Sequence, residues 1–240
     1  MKNKVLAKGS EEMRALYTES MLVKAQAVAG TLFLIFLTLH LSNTVLASFG
    51  AETYNSYQRT IRQFYQYPFL EIVIVIGPLV THVVSGLWLY LIRKKWQIER
   101  TLKYRFQSWA GFFLLLVVFG HVLATRGISF WYGTFTEFEG VSFSLWWIPG
   151  YFYPYYFLLF MAGLYHGSMG AATLFRRAGL IRSASIKWLP TCVATFGSLG
   201  VIFALLGFGG MLFETDDPRD NDYARQYSVL LDIDLTKPRN

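Results

Sequence analysis

The chain has 240 residues, of which 54% are hydrophobic and only 15% are charged, whereas ordinary soluble domains carry about 25% charged residues. This composition excludes a typical soluble domain and predicts an integral membrane protein. The formal net charge is +7, but Lys and Arg lie in short clusters between long apolar runs. That pattern is typical of the cytoplasmic ends of membrane-spanning helices rather than of nucleic-acid binding. The single cysteine, Cys192, excludes an intramolecular disulfide and a cysteine-ligated cluster.

Five apolar runs are long enough to cross the ~30 Å hydrocarbon core of a bilayer as helices. They cover residues 22–47, 69–92, 106–125, 153–175 and 187–212. We therefore predict an all-α fold, a bundle of five transmembrane helices. The first run is too long for the apolar core of a signal peptide, so we expect a permanent span. Between the third and fourth spans, residues 126–152 are rich in Trp and Tyr, which predicts a short helix at the membrane interface.

The distribution of Lys and Arg predicts the orientation of the chain. The N-terminal segment up to Lys24, the 93–105 loop and the 176–187 loop hold 15 of the 22 Lys and Arg residues. By the positive-inside rule, the N-terminus then lies in the cytoplasm and the C-terminus outside. We predict three parts in chain order: a cytoplasmic segment over 1–21, a membrane domain over 22–212, and an acidic, partly irregular outer tail over 213–240.

Each of the first four predicted spans contains one histidine, and no histidine lies in a loop: His40, His82, His121 and His166. Ionisable side chains inside a membrane are costly, so each marks a candidate functional site. The alternative is four unrelated neutral histidines, each hydrogen-bonded to a neighbouring helix. A zinc site of four histidines requires all four imidazoles around one ion, and non-haem iron normally adds carboxylates. No Asp or Glu accompanies the histidines in the middle of the spans.

Depth in the membrane separates the histidines into two layers. His40 and His121 each lie 16 residues from the basic cytoplasmic end of their helix, which is about 24 Å at a rise of about 1.5 Å per residue. His82 and His166 lie 11 and 10 residues from theirs, or about 15–17 Å. A haem iron with two axial imidazoles needs two histidines at one depth on facing helices. We therefore predict two b haems inside a four-helix core, the outer one held by His40 and His121 and the inner one by His82 and His166.

An internal repeat supports this arrangement, because the first and third helices share one pattern and the second and fourth share another. The first pattern occurs as Lys24-x-Gln26-x-x-Ala29-Gly30 before His40 and as Arg105-x-Gln107-x-x-Ala110-Gly111 before His121, with identical spacings. The second occurs as His82-x-x-x-Gly86 and His166-x-x-x-Gly170. The first four spans are therefore predicted to be two copies of one helical hairpin.

Residues around the histidines are candidates for contacts with the macrocycles. Gly30 and Gly111 lie near the depth of the inner haem, where a missing side chain lets a flat ring approach the backbone, with ordinary small-residue helix packing as the alternative. Arg126 is a candidate donor to the propionates of the outer haem, with snorkelling to lipid phosphate as the alternative for each charge. Candidate donors to the inner haem cluster at the cytoplasmic helix ends: Lys24, Gln26, Arg105, Gln107 and Ser108.

The sequence around the four histidines resembles the dihaem cytochrome b anchor of succinate:quinone oxidoreductases, the succinate dehydrogenase and fumarate reductase complexes. The resemblance is to the form with one large five-helix subunit, and it covers about residues 22–176. The resembling segments are FLIFLTLHLSNTVLASFGAETYN, YPFLEIVIVIGPLVTHVVSGLWLY, FQSWAGFFLLLVVFGHVLATRG and MAGLYHGSMGAATLF. The last helix and the tail carry no motif of the family.

The resemblance implies a protein of the bacterial cytoplasmic membrane that binds two b haems and reacts with a quinone, either menaquinone or ubiquinone. Its partners would be an iron–sulfur subunit and an FAD flavoprotein, since the chain itself has neither a dinucleotide fingerprint nor a cysteine cluster. The family pairs its histidines as the depth argument does. Some fumarate reductases of this type carry a Glu shortly before the helix-four histidine. Here Gly163, Leu164 and Tyr165 precede His166, so we expect no proton path of that kind.

Two other functions remain open at this point. One is the cytochrome b of another quinone-linked complex, of the hydrogenase or formate dehydrogenase type, and the other is a transporter or a membrane scaffold without haem. No catalytic residue is assigned. Glu52, Arg62 and Glu71 lie at the outer membrane edge, where they are candidates for quinone contacts or for simple solvation of the rim.

Overall fold

A computed structural model of the chain describes residues 2–93, 101–182 and 186–237, with side chains from residue 16 onward in these ranges and also at Met13. The described residues form helices and no strands. Five of the helices are long and apolar enough to cross a membrane, judged by length and composition. These findings confirm the predicted all-α architecture with five spans and are consistent with an integral membrane protein.

The described residues form eight longer helices, five of which contain candidate spans, and a short 3₁₀ helix, Ala47–Phe49, that ends the first span. The longer helices are α1 (Lys2–Leu46), α2 (Ala51–Tyr65), α3 (Pro68–Ile92), α4 (Leu102–Tyr132), α5 (Phe138–Trp147), α6 (Pro149–Arg177), α7 (Leu189–Phe208) and α8 (Asp222–Leu231). The candidate spans are α3, α4, α6, α7 and the part of α1 from Leu16. Helix α1 begins well before the predicted span, because residues 2–21 are rich in Ala, Leu, Lys, Glu and Met, which are strong helix formers.

Three of the spans contain a wider π-helical turn. These turns are Glu71–Ile76 in α3, Leu123–Gly127 in α4 and Val193–Gly197 in α7. A π turn inserts one extra residue into the helix and redirects backbone carbonyls, and such turns occur frequently at functional sites. The turn in α4 begins two residues after His121. No sequence pattern used above predicts any of the three.

The chain divides into two compact units, which are described separately. The first consists of Met1–Phe36 and Tyr65–Leu102, and the second of Leu37–Phe64 and Lys103–Asn240. The first unit therefore contains His82, and the second contains His40, His121 and His166.

In the first unit, α1 and α3 form a helical hairpin. The amide of Gln26 lies over Gly86, where an added Cβ would come within 2.9 Å of Gln26 Nε2. At the basic end of the hairpin, Arg93 Nε donates to Glu19 Oε1 at 2.6 Å. The side chain of Ser85 is buried and donates to the carbonyl of Thr81. A glycine and a small hydroxyl thus allow the two helices to approach closely.

The second unit has its apolar core where α7 meets α5, α6 and the end of α1. Phe138 and Val201 are 1% exposed, and Ala47 and Ala204 are fully buried. Gly207 is needed at this crossing, because a Cβ there would collide with the carbonyl oxygen of Ala47. The predicted interfacial helix between the third and fourth spans corresponds to α5, Phe138–Trp147.

A layer of short helices, α2, α5 and α8, is joined by polar contacts that the sequence analysis did not predict. Arg59 Nη2 donates to Glu137 Oε2 at 2.6 Å, and Arg62 lies over the ring of Phe135 at 3.8 Å. Asn55 accepts a hydrogen bond from the Phe138 backbone N–H at 2.8 Å. Helix α2 is amphipathic and is held by these contacts, since a polar 15-residue helix has little stability alone.

Candidate functional site

The histidines of the predicted outer layer, His40 on α1 and His121 on α4, are neighbours in the second unit. Their ring centroids lie 5.9 Å apart and the ring planes are inclined at 69°. Two imidazoles that share one metal ion place their ring centres about 6 Å apart, since each metal–nitrogen bond is about 2 Å and the nitrogen lies roughly 1 Å from the ring centre. The separation therefore fits two axial ligands of a single iron. The two rings are neighbours, as the depth argument predicts.

The backbone carbonyl of each of these two histidines accepts a hydrogen bond from a threonine, which the sequence analysis missed. Thr44 Oγ1 donates to the carbonyl of His40 at 3.2 Å, and Thr125 Oγ1 donates to the carbonyl of His121 at 2.8 Å. In each helix the threonine follows the histidine by four residues, so the internal repeat extends through these positions. Such hydroxyl contacts to the i−4 carbonyl bend helices locally. The signal was present in the sequence as a second shared His-x-x-x-Thr spacing.

His82, in the first unit, is oriented by the backbone of α1. Its Nδ1 lies 3.2 Å from the carbonyl oxygen of Gln26. A carbonyl oxygen only accepts hydrogen bonds, so Nδ1 carries the proton and Nε2 carries the lone pair. Metal-binding histidines commonly make this kind of contact, because it fixes the tautomer and the direction of the ligating nitrogen.

His166, in the second unit, has the same environment. Its Nδ1 lies 3.0 Å from the carbonyl oxygen of Gln107 on α4. Gln26 and Gln107 occupy equivalent positions of the repeat, and each therefore contacts a histidine through its backbone carbonyl. The repeat is structural as well as sequential, and in both copies it sets Nε2 as the lone-pair nitrogen.

Gly30 and Gly111, which the sequence analysis proposed as contacts of a macrocycle, each lie against a histidine imidazole. A Cβ at Gly30 would lie 2.8 Å from Nδ1 of His82, and a Cβ at Gly111 would lie 2.9 Å from Cε1 of His166. Real Cβ atoms essentially never approach other atoms so closely. Glycine is therefore required at both positions because an imidazole from the second helix of the same hairpin lies against the backbone.

The remaining predicted site residues lie as follows. Lys24 and Arg105 are both exposed at equivalent positions of the repeat, and the guanidinium of Arg105 lies 5.4 Å from the ring centre of Trp109. Ser108 donates to the carbonyl of Tyr104 within its own helix at 3.1 Å. Their role toward propionates stays a prediction, as does the role of the side-chain amides of Gln26 and Gln107.

Two outer-edge candidates lie in π turns. Arg126 is in the turn that follows His121, where its Nη1 donates to Ser129 Oγ at 2.9 Å. Glu71 begins the π turn of α3 and is only 9% exposed. The pairing of His82 with His166 also stays a prediction, because the two residues belong to different units. Within residues 2–93, 101–182 and 186–237, no three His, Cys, Asp or Glu side chains form a group that could hold a metal ion.

No known family model matches the chain, and no curated protein is significantly similar to it. The family resemblance therefore rests on the histidine-containing segments quoted above.

Proposed function

We propose that this chain is the dihaem cytochrome b anchor of a succinate:quinone oxidoreductase complex and carries electrons between an iron–sulfur subunit and a membrane quinone. The observation that carries the proposal is the pair of imidazoles of His40 and His121, 5.9 Å apart on two candidate spans. A ring separation that fits one iron between two ligands is not required by helix packing alone. The repeated hairpin supports a second site of the same kind.

The residues of the chain fit two bis-histidine sites. His40 and His121 would be the axial ligands of the outer haem, and His82 and His166 those of the inner haem. The carbonyls of Gln26 and Gln107 hold the latter two imidazoles with the proton on Nδ1. A haem held by these imidazoles would supply reversible one-electron transfer.

The distribution of charge supports the proposed orientation. Most Lys and Arg residues lie at one end of the predicted spans, which places the N-terminus in the cytoplasm of a bacterial cell by the positive-inside rule. We infer that the iron–sulfur subunit, with its FAD flavoprotein, docks at this end, because the histidines of the inner layer lie nearer to it. Quinone, either menaquinone or ubiquinone, would react at the membrane edge.

The test is haem quantification on the purified full-length chain. Pyridine haemochrome analysis is expected to give two b haems per chain, with low-spin spectra in both oxidation states. One haem or none would contradict the proposal, and a protein without a Soret band would be a scaffold or transporter. Co-purification of the native complex distinguishes the remaining alternative, since a hydrogenase or formate dehydrogenase partner would replace the flavoprotein that oxidises succinate.

A further inference from the structure

The π turn after His121 has a redirected hydrogen-bond pattern. In an α-helix the N–H of Ile128 would donate to the carbonyl of Ala124, four residues earlier. In this turn it donates to the carbonyl of Thr125 instead. The Ala124 carbonyl, three residues after His121, is therefore available to donors from outside the helix.

Two tyrosines of the C-terminal helix α8 donate to that carbonyl. Tyr223 Oη lies 3.1 Å and Tyr227 Oη lies 3.3 Å from the oxygen of Ala124. The tyrosines are four residues apart, so they share one face of α8, and their ring centroids are 4.6 Å apart. A carbonyl oxygen has two lone pairs and can accept both hydroxyls. We refer to Tyr223, Tyr227 and the Ala124 carbonyl as the tyrosine clamp.

Helix α8 is firmly held in the second unit. Asn221 caps its N-terminus by accepting from the Ala224 N–H at 2.9 Å. Tyr223 is 6% exposed, Ala224 is fully buried, and both pack in a cluster with Phe143. Gln226 also donates to the hydroxyl of Thr134. The tail is thus only partly irregular, as predicted, and its helix is held by contacts at its N-terminus and between the two tyrosines.

The clamp hydroxyls are protonated at physiological pH, because the ordinary pKa of tyrosine is about 10 and burial moves it further up. Burial raises the pKa of Tyr223 well above its ordinary value and also raises the pKa of Tyr227. A protonated phenol donates its hydrogen, whereas a phenolate cannot. Both residues are therefore hydrogen-bond donors throughout the physiological pH range.

We propose that Tyr223 and Tyr227 are positioning residues that hold the helix turn following His121 and thereby set the orientation of its imidazole. This inference rests on the proposed function, in which His121 is an axial ligand of the outer haem. The clamp acts on the same turn as Thr125, whose hydroxyl donates to the His121 carbonyl.

The test is the double variant Tyr223→Phe with Tyr227→Phe in the full-length protein, which removes both hydroxyls and keeps the buried rings. Haem content is expected to stay unchanged. The EPR g values and the midpoint potential of the haem that is lost in His121→Ala are expected to shift. The g values and the potential of the other haem are expected to stay unchanged. Amide hydrogen exchange across residues 123–129 is expected to accelerate on the order of tenfold to a hundredfold. Tyr151→Phe is the matched control, because Tyr151 is exposed and lies outside the clamp.

Each outcome decides between the two proposals. Unchanged EPR and potential of both haems in the double variant would overturn the positioning role. Absence of haem from the unsubstituted protein would contradict the proposed function instead. In that case faster amide exchange in the double variant would still show that the tyrosine clamp holds the end of α4. Unchanged exchange would overturn this role of the clamp. The single variants, each with one hydroxyl left, are expected to give intermediate exchange rates.

Discussion

The two helical hairpins, α1 with α3 and α4 with α6, share the part that orients a histidine and differ elsewhere. In both, the imidazole of the second helix lies between a glutamine carbonyl and a glycine of the first. In the second hairpin, Tyr165 adds a hydrogen bond to the Lys103 carbonyl at 3.1 Å. The corresponding position of the first hairpin is Thr81, next to His82.

This comparison separates what the histidines need from what the surroundings need. The shared elements all contact an imidazole or its backbone. Besides the Tyr165 contact, the second hairpin is joined to α8 through the π turn of α4, where Tyr223 and Tyr227 donate to the Ala124 carbonyl. We therefore expect substitutions in the shared elements to have equivalent effects in both hairpins. Substitutions in α2, α5 or α8 are expected to affect only one of the two histidine pairs.

The largest expected effect is loss of one haem from each histidine variant. His40→Ala and His121→Ala should remove the same spectral component, and His82→Ala and His166→Ala should remove the other. In the proposed arrangement each hairpin supplies one ligand to each haem, so the haem content should fall from two to one per chain in all four variants. Pyridine haemochrome and reduced-minus-oxidised spectra measure this. If His40→Ala and His82→Ala removed the same component, the two-layer arrangement would be wrong.

The neighbouring positions of His40 and His121 were predictable because helical rise converts sequence spacing into depth, whereas the pairing of His82 with His166 stays a prediction. His40 and His121 are neighbours, as their equal distance from the helix ends indicates. Spacing does not report how one helix is rotated against its neighbour, so the contact of the His82 imidazole with Gly30 was not predicted. The proposed contact of Gly30 with a macrocycle stays a prediction.

The five spans follow from the length of their apolar runs. Other parts of the fold had no local signal in the sequence. Helices α2 and α8 are short and polar, and their stability comes from partners distant in sequence, such as Glu137 for Arg59 and Ala124 for Tyr223. The π turns differ from α-helix by one inserted residue, which the amino-acid composition of the spans does not reveal.

The second prediction concerns the two glycines, and it tests whether the hairpins are equivalent. Gly30→Ala and Gly111→Ala should each displace an imidazole, because the added Cβ would lie 2.8 Å or 2.9 Å from a ring atom. Both substitutions are therefore expected to weaken the same haem, the one lost in His82→Ala, by about 10–100-fold in affinity, as for other lost contacts that orient a metal ligand. Haem retention during dilution and titration with hemin measures the loss.

A matched glycine control is available in α6. Gly150→Ala adds the same methyl group where no atom lies within 4 Å of the new Cβ, so haem retention should be unchanged. An effect of Gly30→Ala on one haem and of Gly111→Ala on the other would contradict the equivalence of the hairpins. Retention of both haems in both variants would show that the imidazoles can shift without losing the iron.

The smallest expected effect is a pH dependence confined to the polar layer of the second unit. The hydrogen bond from Arg59, the charges of Arg59 and Arg62, and a weaker hydrogen bond from Arg62 lower the pKa of Glu137, although partial burial acts in the opposite direction. A carboxyl whose folded-state pKa is depressed adds stability above its unfolded-state pKa, near 4.3, and this stability is lost as the pH falls through the folded-state value. The ion pair is partly exposed, and exposed pairs contribute little. We therefore expect Glu137→Gln to lower the Tm at neutral pH by about 2 °C. Below pH 4 the difference in Tm between this variant and the unsubstituted protein should become smaller.

The measurement is thermal unfolding in detergent across pH 3–8, with the spectrum of the haem that is lost in His121→Ala followed in parallel. Asp217→Asn is the control, since Asp217 pairs with Arg219 only two residues away and both side chains are exposed. Exposed local pairs contribute little to stability, so the Tm of this variant should not change. A larger loss at acidic than at neutral pH in Glu137→Gln would have the wrong sign for this ion pair and would assign the effect to a different carboxyl group.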